Sequence, residues 1–539
     1  MEVYLTPKHD SKVTSRNEFV NVLERSWSSF VRRHDARYLW LQQAQSQPAE
    51  TDTTLEIPKH KLFLNGVSLG TFVSPGDYRC HWKSPFCATR ETLTDASQNT
   101  DSDSDDEDCS SNRLWALFEY DTESLSISWK QSENLSWRME IALDSLADRV
   151  VVVCRQGRTF RLFLFLASQP KIYSGKPRPR VKFLQLVDAH GKVETAWERE
   201  SCFESCDYRT FGSCNVLHLK LATLPQNINS LIRRLEFMDF AVYYGDPLIT
   251  DVEKSGGDLP FPRFLTFDAS YSWFCLLTRG FKVTDQAQSD EFIQLLNASA
   301  NNPQLDRVLD AVAARAEWLI FDLKNTFAEE LENLQNGRMS EDEVMKPVGD
   351  QFVAVRRLLI TPTTVRGLSA QWGVGNRVVR HYGSDRFIRV IIRDEDLSLL
   401  SAAVRLHKPI SVITDFLRQD LVIADRRYHF LGCSNSQLRE HGLWMYAGDD
   451  QEGHTVDGVR RWMGDLSRER CVATYVSRLG QFFSSSRNTI EVDHVELIPD
   501  VHNSSHSGYC FTDGIGKISS LLAKKVIKNK AVVCNNDKS

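Results

Sequence analysis

The sequence predicts a multidomain mixed α/β (α+β) protein, and three patterns carry that prediction. On either side of Gly157, Val150–Cys154 and Phe160–Leu166 are apolar runs separated by a short polar turn, as in a β-hairpin. Over residues 303–335, apolar residues from Leu305 to Leu334 recur every three or four positions, the period of a helix. Between 351 and 400 strand-like runs return, now studded with arginine. A chain of 539 residues accommodates roughly three domains at ~100–200 residues each.

Residues 1–90 read as a mixed α/β region. Within it, Glu18–Trp40 places Phe19, Val22, Leu23, Trp27 and Phe30 on an amphipathic-helix spacing. Residues 91–112 read as an acidic disordered loop. The run Asp101–Asp108 is like-charged and holds nothing apolar to bury. Residues 113–345 read as a β-rich region ending in the long helix. Its expected elements are the hairpin about Gly157, a strand over Val181–Val187 and further short strands to about residue 280. Pro303 opens the helical segment and Asn336-Gly337 closes it, as one helix or as two with a kink. The polar stretch Gly337–Asp350 marks a boundary, and 350–539 forms the last unit.

Hydrophobic residues make up 42% and charged residues 25%, ordinary for a soluble globular protein. The net charge of -6 does not advertise nucleic-acid binding, so any such site must be a local basic patch. Twelve cysteines are too dilute for a disulfide scaffold and point to a reducing compartment. Cys202, Cys206 and Cys214 form the one cluster, with no paired C-x-x-C spacing and no His between them. Half-buried thiols explain it better than a metal site. The Met1–Lys8 stretch lacks the apolar core of a signal peptide, and no run reaches the ~18 apolar residues of a membrane span. A cytoplasmic or nuclear protein is the expectation.

The last third is the informative part. A strand over Arg356–Ile360 ends at Thr361-Pro362. In Phe387–Arg393, Ile388, Val390 and Ile392 take one face and Phe387, Arg389, Ile391 and Arg393 the other. Eight arginines (356, 357, 366, 377, 380, 386, 389 and 393) lie between 351 and 400. Such fork-shaped, permanently charged groups suit phosphate contact. On density alone they are better explained as solvated arginines paired to Asp394, Glu395 and Asp396. Ser434-x-x-Gln437 has capping-box spacing and needs no ligand, which leaves Arg439 beyond the cap as the freer candidate. Asp513-Gly514-Ile515-Gly516-Lys517 is a glycine turn that lets backbone approach a phosphate. A basic helix follows from Ser519 to Lys530, readable as an anion site or as a solvated lysine face.

Taken in order, Leu359-Ile360-Thr361-Pro362-Thr363, Asn376–Tyr382, Phe387–Val390, Phe430–Arg439, Trp444–Ala447, Arg461–Asp465, Gly480–Ser484 and Phe511–Ser519 resemble the opening blocks of the eukaryotic cellular RNA-dependent RNA polymerases of RNA silencing. The resemblance covers roughly 354–527. It implies the start of a double-psi β-barrel polymerase core, with RNA-templated nucleotidyl transfer that makes double-stranded RNA for small-RNA gene silencing. It implies single-stranded RNA template and nucleoside triphosphates as substrates, and proteins of the Dicer and Argonaute pathways as partners. Arg377, Arg380, Arg389, Arg439, Asp513, Gly514, Gly516 and Lys517 are then the candidates for contact with RNA or nucleotide. The family's catalytic Asp-x-Asp-Gly-Asp loop, which holds Mg²⁺, is not in this sequence. No catalytic or metal-binding residue is therefore assigned in the chain, and the Mg²⁺ ligands are expected outside it. The expectation is an N-terminal portion of such an enzyme, inactive alone. A non-catalytic RNA-binding scaffold of the same pathway is the alternative.

Overall fold

A computed structural model describes residues 59–85, 114–177, 195–252, 261–316, 321–338, 352–401, 407–449, 454–501 and 516–535, save for short gaps inside them. The expected helix over Glu18–Trp40, the acidic run Asp101–Asp108 and the strand over Val181–Val187 lie outside these residues.

The first sheet contains β1 (Lys59–Ser74), β2 (Asp77–Lys83), β3 (Leu114–Glu119), β4 (Ser124–Ser132), β5 (Leu135–Ala142), β6 (Leu146–Gln156), β7 (Thr159–Leu166), β8 (Lys171–Pro177), β9 (Thr195–Glu200), β10 (Val216–Leu221), β11 (Ala241–Tyr244) and β12 (Leu248–Asp251). Its order is β11-β6-β7-β10-β1-β3-β4-β5-β8-β9, with β2 bridging β1 and β12. The long β1 is the hub, pairing with β10, β2 and β3. Strands on either side of residues 91–112 thus share one sheet, and the division between 1–90 and 113–345 does not separate two bodies here. The valine run is a strand paired on both edges: β6 meets β7 as the expected antiparallel hairpin, and β11 in parallel. Both its faces are covered. Val151 and Val153 enter one core, and Val150, Val152 and Cys154 enter another. A strand buried on both faces reads as a continuous apolar run instead of an alternation. Cys214 is buried in the first core, and Cys202 and Cys206 pack against it.

Two helices, α1 (Tyr208–Ser213) and α2 (Pro225–Phe237), accompany this sheet. Strands do not continue to residue 280. A bundle begins instead with α3 (Phe267–Leu277), α4 (Phe281–Ala287) and α5 (Asp290–Ser299). The side chain of Thr266 caps α3 by accepting from the amide of Ala269, and Gly280, at φ +93°, separates α3 from α4. Residues 269–273 of α3 are all buried, so the helix is covered on every side and its 3.6-residue period is invisible in the sequence. The expected long helix is two: α6 (Leu305–Arg315) and α7 (Leu323–Gln335). Asp322 caps α7, and Arg315 bonds Glu329 and Glu330 at 2.7 and 3.0 Å, folding one helix back on the other. Leu309, Val312, Leu323 and Phe327 share the bundle core with Trp273.

The second sheet has order β14-β13-β15-β18-β17-β16. Its strands are β13 (Phe352–Ile360), β14 (Val365–Val374), β15 (Phe387–Ile392), β16 (Leu421–Ile423), β17 (Arg426–Gly432) and β18 (Gly442–Tyr446). Around it lie α8 (Arg377–Tyr382), α9 (His407–Arg418), α10 (Asn435–Arg439), α11 (Val456–Trp462) and α12 (Val472–Gly480), and α13 (Ser520–Asn535) follows. Ile388 and Val390 pack with Leu358, Ile360 and Tyr271 on one face. Phe387 packs with Trp444, Tyr446 and Leu431 on the other, as the alternation requires. The bundle is stitched to the sheet where the Tyr271 hydroxyl donates toward the carbonyls of Arg357 and Leu368, at 2.7 and 2.9 Å. Among the described residues, no helix is long and apolar enough to cross a membrane.

Candidate nucleic-acid interface

The arginines of the second sheet have different fates. Arg356 is buried and pairs with Asp268 of α3. Arg386 pairs with Asp449 at 3.1 Å. Arg380 donates to the carbonyls of Gly375 and Ser486 and to the Ser486 hydroxyl, at 2.5–2.8 Å. It ties two chain segments together and has little left for RNA.

Arg377 stands differently. Asn376 caps α8 by accepting from the amide of Val379, and this turns the first residue of the helix outward. The Arg377 guanidinium lies 5.4 Å from both the Trp462 and Phe482 ring centroids. One helical turn on, the His381 ring stacks on Trp462 at 4.3 Å with an interplanar angle of 16°, and Tyr382 meets Trp462 edge-on. Arg460 holds α11 in place by donating to the carbonyls of Phe430 and Leu431. Arg377 and His381 are exposed, and Trp462 is half-buried. Aromatic faces with cations beside them are what single-stranded nucleic acid stacks on.

A second basic group lies on the Phe387 face of the sheet. Arg357 of β13 and Arg389 of β15 are register partners on parallel strands, and Trp444 of β18 is the partner of Arg389 on its other side. Burial pushes both guanidiniums below their usual value; Arg389 lowers Arg357 further, and Arg393 lowers Arg389. Arg357 is anchored to the Ser369 carbonyl and to Gln371. Arg393 donates to the Glu440 carbonyl at 2.6 Å, next to exposed Arg439 at the end of α10.

The acids Asp394, Glu395 and Asp396 do not neutralise these arginines. Asp394 pairs with buried Arg199 of β9 at 2.9 Å, and Lys171 of β8 reaches Asp396 at 2.6 Å and Asp394 at 3.5 Å. Glu395 is 3% exposed, and burial pushes its carboxyl up to about 7, against opposing contributions from Arg199 and the Thr361 and Thr363 hydroxyls. The triplet therefore fastens the first sheet to the second.

Ser434 and Gln437 form the expected capping box, with both reciprocal bonds present. Asp513 and Gly514 lie outside the described residues. Gly516 shows no left-handed φ and its Cα faces open space, while Lys517 is exposed. The Ser519 hydroxyl accepts from the Leu522 amide at the start of α13. Of the sequence candidates, Arg389 sits between Arg357 and Trp444, Arg439 is exposed at the end of α10, Arg377 sits by Trp462, and Arg380 is structural. Sequence reading missed Arg357, Trp462 and His381 as site residues. Each sits within or beside one of the ordered blocks, and Arg357 is also one of the eight arginines between 351 and 400.

The fold and this surface define a mixed α/β protein with an arginine- and aromatic-rich sheet. Residues 360–537 match the family model described as RNA dependent RNA polymerase. RNA-dependent RNA polymerase 1 of Arabidopsis thaliana is 29% identical over 442 residues, 75% of this chain and 38% of that protein. Probable RNA-dependent RNA polymerase 2 of Oryza sativa subsp. japonica is 39% identical over 434 residues, 74% of this chain and 36% of that protein. RNA-dependent RNA polymerase QDE-1 from Thielavia terrestris superposes at a TM-score of 0.33 with 13% identity, over 50% of this chain and 31% of that one, too low to define a shared fold. The chain belongs to the eukaryotic RNA-dependent RNA polymerase family. It spans a little over a third of the length of these two curated plant relatives.

Proposed function

We propose that this chain is part of an RNA-dependent RNA polymerase that copies single-stranded RNA into double-stranded RNA for small-RNA silencing. One observation carries the reading: the family match over 360–537 falls on the strands and helices that present Arg377, His381, Trp462 and Arg389, and Arg357 is the register partner of Arg389 on the adjoining strand. In this reading the surface binds template. Arg377 and the guanidiniums of Arg357 and Arg389 neutralise phosphates, and His381 and Trp462 give bases a place to stack. Strand order, capping box and the Arg199–Asp394 clasp hold that surface rigid. Nucleoside triphosphates would be the second substrate, and silencing-pathway proteins of the Dicer and Argonaute type the partners.

In the family, Mg²⁺ supplies activation of the attacking hydroxyl and stabilisation of the leaving pyrophosphate. The described residues contain no group of three His, Cys, Asp or Glu side chains able to hold a metal. The sequence contains no Asp-x-Asp-Gly-Asp, and the 539-residue chain alone is proposed to bind RNA without turnover. The test pairs filter binding of labelled single-stranded RNA with a Mg²⁺-dependent synthesis assay on the same preparation. Retained RNA without product is expected. Failure to retain RNA at about 50 mM salt would overturn the template reading. Product made by the chain alone would overturn its inactivity.

A further inference from the structure

Arg357 and Arg389 present a like-charged pair where sheets avoid one. They are register partners on adjacent strands, so their side chains leave the same face a strand spacing apart, about 4.8 Å. Like charges directly opposite destabilise a sheet, and both residues are half-buried, where water screens them less. Arg393, further along the same strand direction, adds a third guanidinium, whose Nη1 already donates to the Ile392 and Glu440 carbonyls at 2.9 and 2.6 Å. The acids nearest in sequence are committed elsewhere, to Arg199 and Lys171. The Glu440 carboxylate sits 3.7 Å from Arg393.

Two of the donors here lack acceptors. The Arg389 Nε is buried with no hydrogen-bond partner among the described residues. Beside it, Trp444 is 5% exposed and its indole Nε1 is likewise buried and unpartnered. Arg357, by contrast, is held in a fixed pose by the Ser369 carbonyl at 3.2 Å and by Gln371 at 3.1 Å. A guanidinium and an indole N–H only donate, so the group that completes this site must be an acceptor, and the facing Arg357–Arg389 pair favours an anionic one. Guanidinium forks match tetrahedral phosphate oxygens. Arg389 and Arg393 are four residues apart, about 13 Å at the usual strand rise. That span exceeds one phosphate and suits an extended polyanion.

We propose that Arg357, Arg389 and Arg393 form a cradle for the phosphodiester backbone of single-stranded RNA, gripping it without reading its bases, with the Trp444 indole N–H as a further donor. The proposal rests on the template-binding reading and deepens it. Unsatisfied, repelling groups of this kind persist where they serve a ligand, at a cost to the unliganded fold.

The test uses the 539-residue chain, a fluorescein-labelled oligouridylate and anisotropy across a salt series. Arg389→Gln and Arg357→Gln should each weaken binding on the order of tenfold. Each should also flatten the log–log salt slope by about 0.7, the single-strand value per phosphate contact. Arg389→Leu should lose RNA binding while the melting temperature holds or rises, because a repelling, unsatisfied group has gone. A merely structural arginine would lower it. Unlabelled oligouridylate should displace the probe from wild type far better than UTP or pyrophosphate at equal phosphate concentration. Equal displacement by UTP would reassign the cradle to a nucleotide and overturn the RNA assignment. Wild-type affinity and slope in both Gln variants would overturn the cradle and leave the template reading standing. A wild-type chain that binds no RNA would overturn both.

Discussion

Replacing Glu395 by Gln tests the junction between the two sheets through a proton. Glu395 is 3% exposed and lies between Asp394, which pairs with Arg199, and Asp396, which pairs with Lys171. Burial raises its carboxyl from 4.5 to about 7. A raised carboxyl means that the folded state holds the proton more tightly than the unfolded state. Stability is therefore fully present below pH 4.5 and is lost as pH rises through 7. That difference corresponds to about 3 kcal/mol at most, most of it lost between pH 5 and pH 8. Glu395→Gln keeps the shape and the hydroxyl contacts but cannot ionise, so it should erase this dependence. A single unfolding energy is ill-defined for a chain of this size. The assay is therefore hydrogen exchange at the amides of Arg393 and Asp394, which bond the carbonyls of Ile360 and Ser398. Corrected for intrinsic rates, their opening should become easier from pH 5 to pH 8 in wild type and stay level in Glu395→Gln. Parallel pH profiles for the two proteins would refute the reasoning.

Further expectations use the same geometry. Arg199→Leu leaves buried Asp394 with only Lys171, at 3.5 Å, as a charge partner, so the loss should fall below the roughly 3–5 kcal/mol of a buried pair broken outright. Proteolysis or exchange should report loosening of β8 and β9 before the helical bundle responds. Arg377→Gln should weaken RNA binding with the melting temperature unchanged, whereas Arg380→Gln should lower stability, since Arg380 holds Gly375 and Ser486; the reverse assignment would contradict the site. Ser434→Ala removes one of the two bonds of the capping box and should cost about 1 kcal/mol in local stability of α10. No change in exchange at Gln437 and Leu438 would count against it.

The legible parts of the fold were those set by short-range rules. The alternation of Ile388 and Val390 against Phe387 gave the two faces of β15, and the Ser434–Gln437 spacing gave the cap. The hairpin about Gly157 was readable because its valines are β-branched and its turn polar. The bundle from Phe267 was not, because α3 is buried all round and carries no amphipathic period. The segment 303–335 kept its period across two helices, since both line one core. The site was half legible. Arginine density pointed to the correct sheet, but which arginines are consumed depends on pairings far apart in sequence. Asp394 finds Arg199 across 195 residues and Arg356 finds Asp268 across 88, and no local spacing announces either. Arg377 beside Trp462 likewise depends on α8 and α11 meeting.

The central claim is that RNA lies on the arginine-bearing face of the second sheet and on the Trp462 platform. Ultraviolet crosslinking of single-stranded RNA to the chain, followed by peptide mapping, tests it most directly. Crosslinks in the peptides that carry Arg377–Arg393, Gly442–Tyr446 and Val456–Trp462 are the predicted result. Crosslinks confined to the twelve-stranded sheet over residues 59–251, with none in those peptides, would contradict it.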